Sequence, residues 1–207
     1  MKGDETLICL SCEAELNFRI PHNQLHDIGE LFWGKSDVDL AYALHEYRLG
    51  SKLQQLLHAL KYEGDRQLTS LFGNELSFVI KEHEEFNNFD YLSFPPSSKK
   101  NRRLRGFNQA EEICKIVSTN TSTPTIDLFK NKGKKQSQTQ QDVHDRHLFL
   151  RSAFELRKNK NLQLEGSKIL LIDDVVTTGA TLSECSNLLE KAGVANISVL
   201  ALAFRPR

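Results

Sequence analysis

The sequence predicts an α/β protein with a central, mainly parallel sheet flanked by helices. Three observations predict it. Ile169-Leu-Leu-Ile172 is an unbroken apolar run between polar residues, as expected of a strand buried on both faces. From residue 89 onward, strand-like stretches alternate with stretches of helical period, which argues for parallel strands joined by right-handed crossovers. The apolar run also ends at Asp173-Asp174, continues through Val175-Val176, and opens into Thr177-Thr-Gly-Ala-Thr181. That last stretch reads as a strand-to-helix turn.

The elements follow in order. Residues 1 to about 35 show no period and hold Cys9, Cys12, His22 and His26. Leu53, Leu56, Leu57 and Leu60 mark a short amphipathic helix ending near Gly64. A second helix runs from about Gln67 to Lys81, with Leu68, Leu71, Phe72, Leu76 and Val79 inward. Phe89 to Phe94 reads as a strand, stopped by Pro95-Pro96 because neither proline can donate to a ladder. A basic loop follows. A helix beginning at about Phe107 then carries Phe107, Ala110, Ile113, Cys114 and Val117 on one stripe, so Phe107 is expected in the core. Thr125 to Phe129 reads as a strand. Residues 130–147 are polar, with Gln136, Gln138, Gln140 and Gln141, and read as a mobile loop. A helix over about 179–192, with Leu182, Cys185, Leu188 and Leu189 inward, and a strand over Ile197 to Ala203 complete the reading. The organisation expected is an irregular N-terminal segment over 1–29, helices over 30–88 and an α/β core over 89–207.

Size and charge narrow the function classes. The 207 residues suffice for one core with a small appendage. With 27 basic and 27 acidic residues the formal charge is balanced, so bulk charge points to neither nucleic acid nor membrane. No apolar stretch is long enough to span a bilayer and no signal peptide is recognised, so a cytoplasmic, non-membrane protein is expected. Cys114 and Cys185 sit on predicted apolar stripes and are expected as buried free thiols.

The turn after the apolar run carries the chemistry. Backbone N–H groups at a helix N-terminus form a ready anion site, and the Thr177, Thr178 and Thr181 hydroxyls add donors. Carboxylates beside such a site suit a ligand with a phosphate and vicinal hydroxyls, or a bound Mg²⁺. A core strand whose carboxylates cap the next helix would share the pattern, but two adjacent buried carboxylates are costly unless something binds them. A Walker B strand is disfavoured because the chain has no G-x-x-x-x-G-K-[ST].

The run Ile169 to Thr181 resembles the 5-phosphoribosyl-1-pyrophosphate (PRPP) signature of type I phosphoribosyltransferases: four apolar positions, an acidic pair, two apolar positions and a Thr-Thr-Gly-x-Thr loop. Arg103-Leu-Arg-Gly-Phe-Asn-Gln-Ala110 and Lys61-Tyr-Glu-Gly-Asp65 narrow the resemblance to the ComF branch, and so does a Gln-rich loop leading to Arg146 and Ala153-Phe154. The layout also resembles the transferase half of glutamine-PRPP amidotransferases. The resemblance implies the type I phosphoribosyltransferase fold, with residues 30–88 forming a hood that selects the acceptor. It implies that Asp173 and Asp174 contact the ribose hydroxyls. Val176, Thr177, Thr178, Gly179, Ala180 and Thr181 would hold the 5′-phosphate. Ser97, Ser98, Lys99, Lys100, Arg103 and Arg105 would face the pyrophosphate, and residues 130–147, with Lys132, Lys134, Lys135 and Arg146, would form a lid over the reaction. PRPP with Mg²⁺ would be the substrate and a base or amine the acceptor. Trp33, Tyr42, Tyr47, Phe72 and Phe78 are aromatics able to stack on a base, although their spacings suit core or rim.

Cys9-Leu-Ser-Cys12 is one half of a zinc knuckle, and His22 and His26, spaced as one helical turn, are the residues able to complete it. ComF-like proteins carry two such pairs, and the first is expected to be missing here. A metal-free pair of thiols, and a metal shared within a homodimer, both stay open. Two functional classes follow. One is an enzyme that transfers a phosphoribosyl group from PRPP. The other is a non-catalytic PRPP sensor of the DNA-uptake (competence) machinery, whose basic clusters, Lys99 to Arg105 and Lys130 to Lys135, touch single-stranded DNA or a helicase. Single-strand binding pairs cations with aromatic platforms. Only Phe94, Phe107 and Phe129 lie near the clusters, which favours the enzyme.

Overall fold

The computed structural model describes residues 25–62, 66–97, 106–132, 153–158 and 162–206. Its centre is a five-stranded sheet. The strands are β1 (His26–Asp27), β2 (Leu40–Glu46), β3 (Tyr91–Ser93), β6 (Lys168–Val176) and β7 (Asn196–Phe204), in the order β1-β2-β7-β6-β3. All neighbours are parallel except β1, which runs antiparallel to β2 at the edge. Strands β4 (Phe129–Asn131) and β5 (Phe154–Leu156) form a separate antiparallel pair. The helices are α1 (Lys52–Tyr62), α2 (Arg66–Glu82), α3 (Gln109–Thr121) and α4 (Ala180–Glu190).

The period of two along β6 explains the layers. Leu170 and Ile172 face one core, packed with Leu57 and Leu60 of α1, Phe72 and Leu76 of α2 and Ile113 and Val117 of α3. Ile169 and Leu171 face the other core, with Leu182, Cys185 and Leu189 of α4 and with Ile28, Leu31 and Phe32. A strand covered on both faces has no polar face to show, hence the unbroken apolar run. Each large aliphatic side chain buried this way contributes roughly 1.5–3 kcal/mol. Where α2 meets α3, Gly73 permits the close approach: a Cβ there would lie 2.7 Å from Ile116.

Several boundaries differ from the sequence reading. No strand was expected over 40–46, yet β2 pairs with β7 along nearly its whole length. The strand expected over Thr125 to Phe129 is a single parallel bridge at Thr125, and extended pairing begins at Phe129, in β4. The expected mobile loop therefore opens with strand residues Lys130 and Asn131, and its residues 133–147 lie outside the described segments. Phe107 is not on the α3 stripe. It is half-buried and precedes the helix, whose N-cap is Asn108. The Asn108 side chain instead turns back, with Nδ2 donating to the Pro95 carbonyl at 3.0 Å. The expectations for α1, α2, α4 and β7 hold to within one or two residues. Cys114 and Cys185 are buried free thiols, as expected. Burial pushes Cys114 up to about 12, so it stays protonated and inert.

Candidate active site

Strand β6 ends in the acid pair. Successive strand side chains point to opposite faces, so the two aspartates meet different neighbours. Asp174 turns towards α1, where Lys61 Nζ lies 2.9 Å from its Oδ2. Asp173 faces the α4 side and lines a hollow with Val175, Val176, Thr177, Thr178, Gly179, Ala180, Thr181 and Leu182. Each carboxylate is also held from its own backbone: the Asp174 N–H donates to Asp173 Oδ1 and the Val175 N–H to Asp174 Oδ1, both at 2.8 Å. Burial pushes the Asp173 carboxyl well above its ordinary range, and the neighbouring Asp174 charge pushes it further, against an opposing pull from Lys61.

Beyond Val176 the chain turns into α4. Gly179 is the N-cap, at φ +72°, a conformation that favours glycine. Its missing side chain matters as well, since a Cβ would lie 3.0 Å from the Leu31 carbonyl oxygen. No side chain caps the helix through a hydrogen bond. The Ala180 N–H has only a long contact to Thr178 Oγ1, at 3.4 Å. Thr177, Thr178 and Thr181 are exposed. Amides at the positive end of an eleven-residue helix, ringed by hydroxyls, suit a phosphate.

The segment before β2 braces this turn from behind. Lys35 Nζ donates to the Leu31 carbonyl at 2.6 Å and to the Thr178 carbonyl at 2.9 Å. Asn187 Nδ2 of α4 donates to the Lys35 carbonyl at 2.9 Å, and Ser186 Oγ to the Asp37 carbonyl at 2.8 Å. The geometry of the anion turn is thus fixed by residues far from it in sequence.

The structure gathers Asp173 and Val176 to Thr181 around one hollow and sets Asp174 on the other face of the strand, against Lys61. Strand β3 is parallel to β6, with Ser93 opposite Leu171, so the chain leaving β3 emerges at the same sheet edge. Ser97 lies there, lining a hollow of about 180 Å³ with Phe94, Pro96, Asn108, Lys130 and Asn131 among others. The Ser97 carbonyl accepts from Asn131 Nδ2 at 2.8 Å. Ser98, Lys99, Lys100, Arg103, Arg105, Lys134 and Arg146 lie outside the described residues, as do Cys9, Cys12 and His22. His26 is in β1, its ring 5.0 Å from that of Phe204. Of the aromatics considered for base stacking, Phe72 is fully buried, whereas Trp33 is 79% exposed. Sequence reasoning assigned no role to Lys61 or Lys35, although the Lys61-Tyr-Glu-Gly-Asp65 run stood out. The signal was present as motif, without a partner.

Mg²⁺ binds through one or two carboxylates together with substrate phosphates. Among the described residues no three His, Cys, Asp or Glu side chains gather into a metal site. The two partly buried aspartates beside the anion turn are oxygen donors of the kind a ligand-borne Mg²⁺ takes, so the residues fit it in that shared mode.

A mainly parallel sheet in which an interior strand passes from two carboxylates to an open amide loop has the layout of the type I phosphoribosyltransferase fold, and the chain adopts it. The family model for the phosphoribosyl transferase domain matches residues 109–207. The chain is 30% identical to Competence protein ComFC of Bacillus subtilis, over 75% of its own length and 61% of the relative's. It is 25% identical to Competence protein ComFC of Streptococcus pneumoniae, over 98% and 90% of the two lengths. It is 37% identical to Competence protein F of Haemophilus influenzae, over 48% and 43%. These matches make the chain similar to ComF-family, type I phosphoribosyltransferase-like proteins.

Proposed function

We propose that the protein binds PRPP with Mg²⁺ at the β6–α4 turn and transfers its phosphoribosyl group to a nitrogenous acceptor, releasing pyrophosphate. The observation that carries this reading is the turn itself. Partly buried carboxylates stand on one side, uncapped helix amides and exposed threonines on the other, and both lie at one sheet edge. The 5′-phosphate takes the amides and hydroxyls of Val176 to Thr181. The sugar hydroxyls donate to Asp173 and Asp174. Mg²⁺ supplies charge neutralisation for the departing diphosphate.

In the reaction the C1–O bond to pyrophosphate breaks and its electron pair leaves with the diphosphate. The acceptor nitrogen supplies the pair for the new C1–N bond and passes its proton to the released pyrophosphate or to water. The signature holds no general base, so positioning and stabilisation of the leaving group supply the rate. The basic residues assigned to the pyrophosphate and to the lid serve that stabilisation, and the lid excludes water.

A second reading draws on the relatives' names, which are competence proteins and, in Escherichia coli, DNA utilization protein YhgH. In it the same pocket senses PRPP without catalysis in a protein of DNA uptake that meets single-stranded DNA or a helicase. Pyrophosphate release across a panel of bases and amines separates the two. The first reading predicts PRPP- and Mg²⁺-dependent release with at least one acceptor. No release, with saturable PRPP binding and a steep fall of DNA affinity with salt, supports the second.

A further inference from the structure

Lys61 is the described residue whose position the proposed chemistry has yet to use. It stands in the last turn of α1, and that helix packs on the sheet face opposite α4. Its ammonium meets Asp174 at 2.9 Å, and its side chain is 23% exposed, so it is neither free in solvent nor sealed in the core. An ammonium has three donors and no acceptor, and one donor is spent on Asp174. Among the described residues, Lys35 also touches this turn, where it bonds two backbone carbonyls from behind, and the helix amides are on the α4 side. The acid pair therefore has an anion turn on one flank and the Lys61 ammonium on the other.

A ligand seated on that pair is anionic at both ends: a monophosphate at one end of the sugar, a diphosphate at the other. Two carboxylates beside such a ligand repel it unless a cation offsets them. We propose that Lys61 is the specificity-determining cation for the diphosphate end. It keeps one N–H on Asp174 and donates the others to the oxygens of the departing group, joining the sugar-binding carboxylate to the leaving-group site. This assignment rests on the PRPP reading above. It also implies that the leaving-group site draws on the N-terminal part of the chain, outside residues 109–207.

The test compares three ligands by calorimetry with Mg²⁺ present: PRPP, ribose 5-phosphate and inorganic pyrophosphate, on the native chain, Lys61→Met and Lys61→Arg. Circular dichroism of each variant verifies folding. Loss of a charged hydrogen bond is worth about tenfold or more in affinity. Lys61→Met is expected to weaken PRPP by about that factor and pyrophosphate in parallel, while ribose 5-phosphate changes by less than about threefold. Lys61→Arg, which keeps the charge, recovers most of the loss. Equal weakening of PRPP and ribose 5-phosphate would show that Lys61 only positions Asp174, and unchanged PRPP affinity would show no role; either result overturns the assignment. Failure of the native chain to bind PRPP or ribose 5-phosphate would instead remove the underlying reading.

Discussion

At the residue scale, adjacency in sequence becomes separation in space. Asp173 and Asp174 are neighbours on a strand, so their side chains leave opposite faces. One lines the α4-side hollow and the other pairs with Lys61. Each environment then acts on its own carboxyl. Asp173 lacks a direct cation among the described residues, and burial together with the Asp174 charge raises its pKa well above the ordinary carboxylate range. The folded chain consequently holds that proton more tightly than the unfolded chain. Stability is lost as pH rises from the unfolded value of about 4 through the raised value, and the whole penalty is present above it. Asp173→Asn removes the penalty while keeping an acceptor for the Asp174 N–H. At neutral pH the variant is expected to melt at a higher temperature than the native chain, with a gap that closes towards pH 4. Melting curves across that range measure it, and a variant melting below the native chain at pH 7 would contradict the assigned cause. A binding carboxylate kept at a cost in stability is the usual trade at functional sites. These two residues were legible in the sequence because everything that marks them is contiguous: an apolar run, a polar pair, a hydroxyl loop. Their partners were not. Lys35 and Thr178 are separated by 143 positions, and no local pattern pairs a lysine with a carbonyl at such distance.

At the element scale, the β6–α4 turn is built from two directions. Its own sequence supplies Gly179 at positive φ, and the segment before β2 supplies the wall behind it. Gly179→Ala meets both constraints together. The left-handed conformation costs a side-chain-bearing residue roughly 1–2 kcal/mol, and the new methyl presses on the Leu31 carbonyl oxygen. Because that atom belongs to backbone also tied to Lys35, it yields only if the brace moves. A Tm lower by about 3–8 °C is expected, together with loss of phosphate-ligand affinity. Native-like melting and binding would show that the turn tolerates displacement. The elements also mark where sequence reading stops. Strand β2, Leu-Ala-Tyr-Ala-Leu-His-Glu, is rich in alanine and ends in polar residues, so neither a period of two nor β-branching announces it. It is a strand because β7 lies beside it, and its small alanines, Ala41 and Ala43, fit beneath the Ile28 to Phe32 segment. The displaced start of β4 has the same origin, since its partner β5 lies beyond a stretch of polar chain that no local signal bridges.

At the scale of the whole molecule, the described residues form a sheet between two helical layers, and the candidate pocket opens at the carboxyl edge where ligands of such sheets bind. That edge gathers chain from the entire length. Lys35 and Lys61 come from the N-terminal part, Ser97 from the β3 exit, and the acid pair and amide turn from β6 and α4. The α/β class was legible because alternating elements and a doubly buried strand admit few architectures. The brace and the α1 lysine were not, since they arise only once residues 31–61 pack against the sheet and its α4 turn. Among the described residues no helix is long and apolar enough to cross a membrane. In the proposed function this edge binds PRPP through Asp173, Asp174 and the turn to Thr181. Calorimetric titration of PRPP with Mg²⁺ into the native chain and into the Asp173→Asn/Asp174→Asn double variant tests it most directly. Saturable, one-to-one binding to the native chain and none to the double variant is the expected outcome. Heat signals of equal size from both proteins, or none from the native chain, would contradict it.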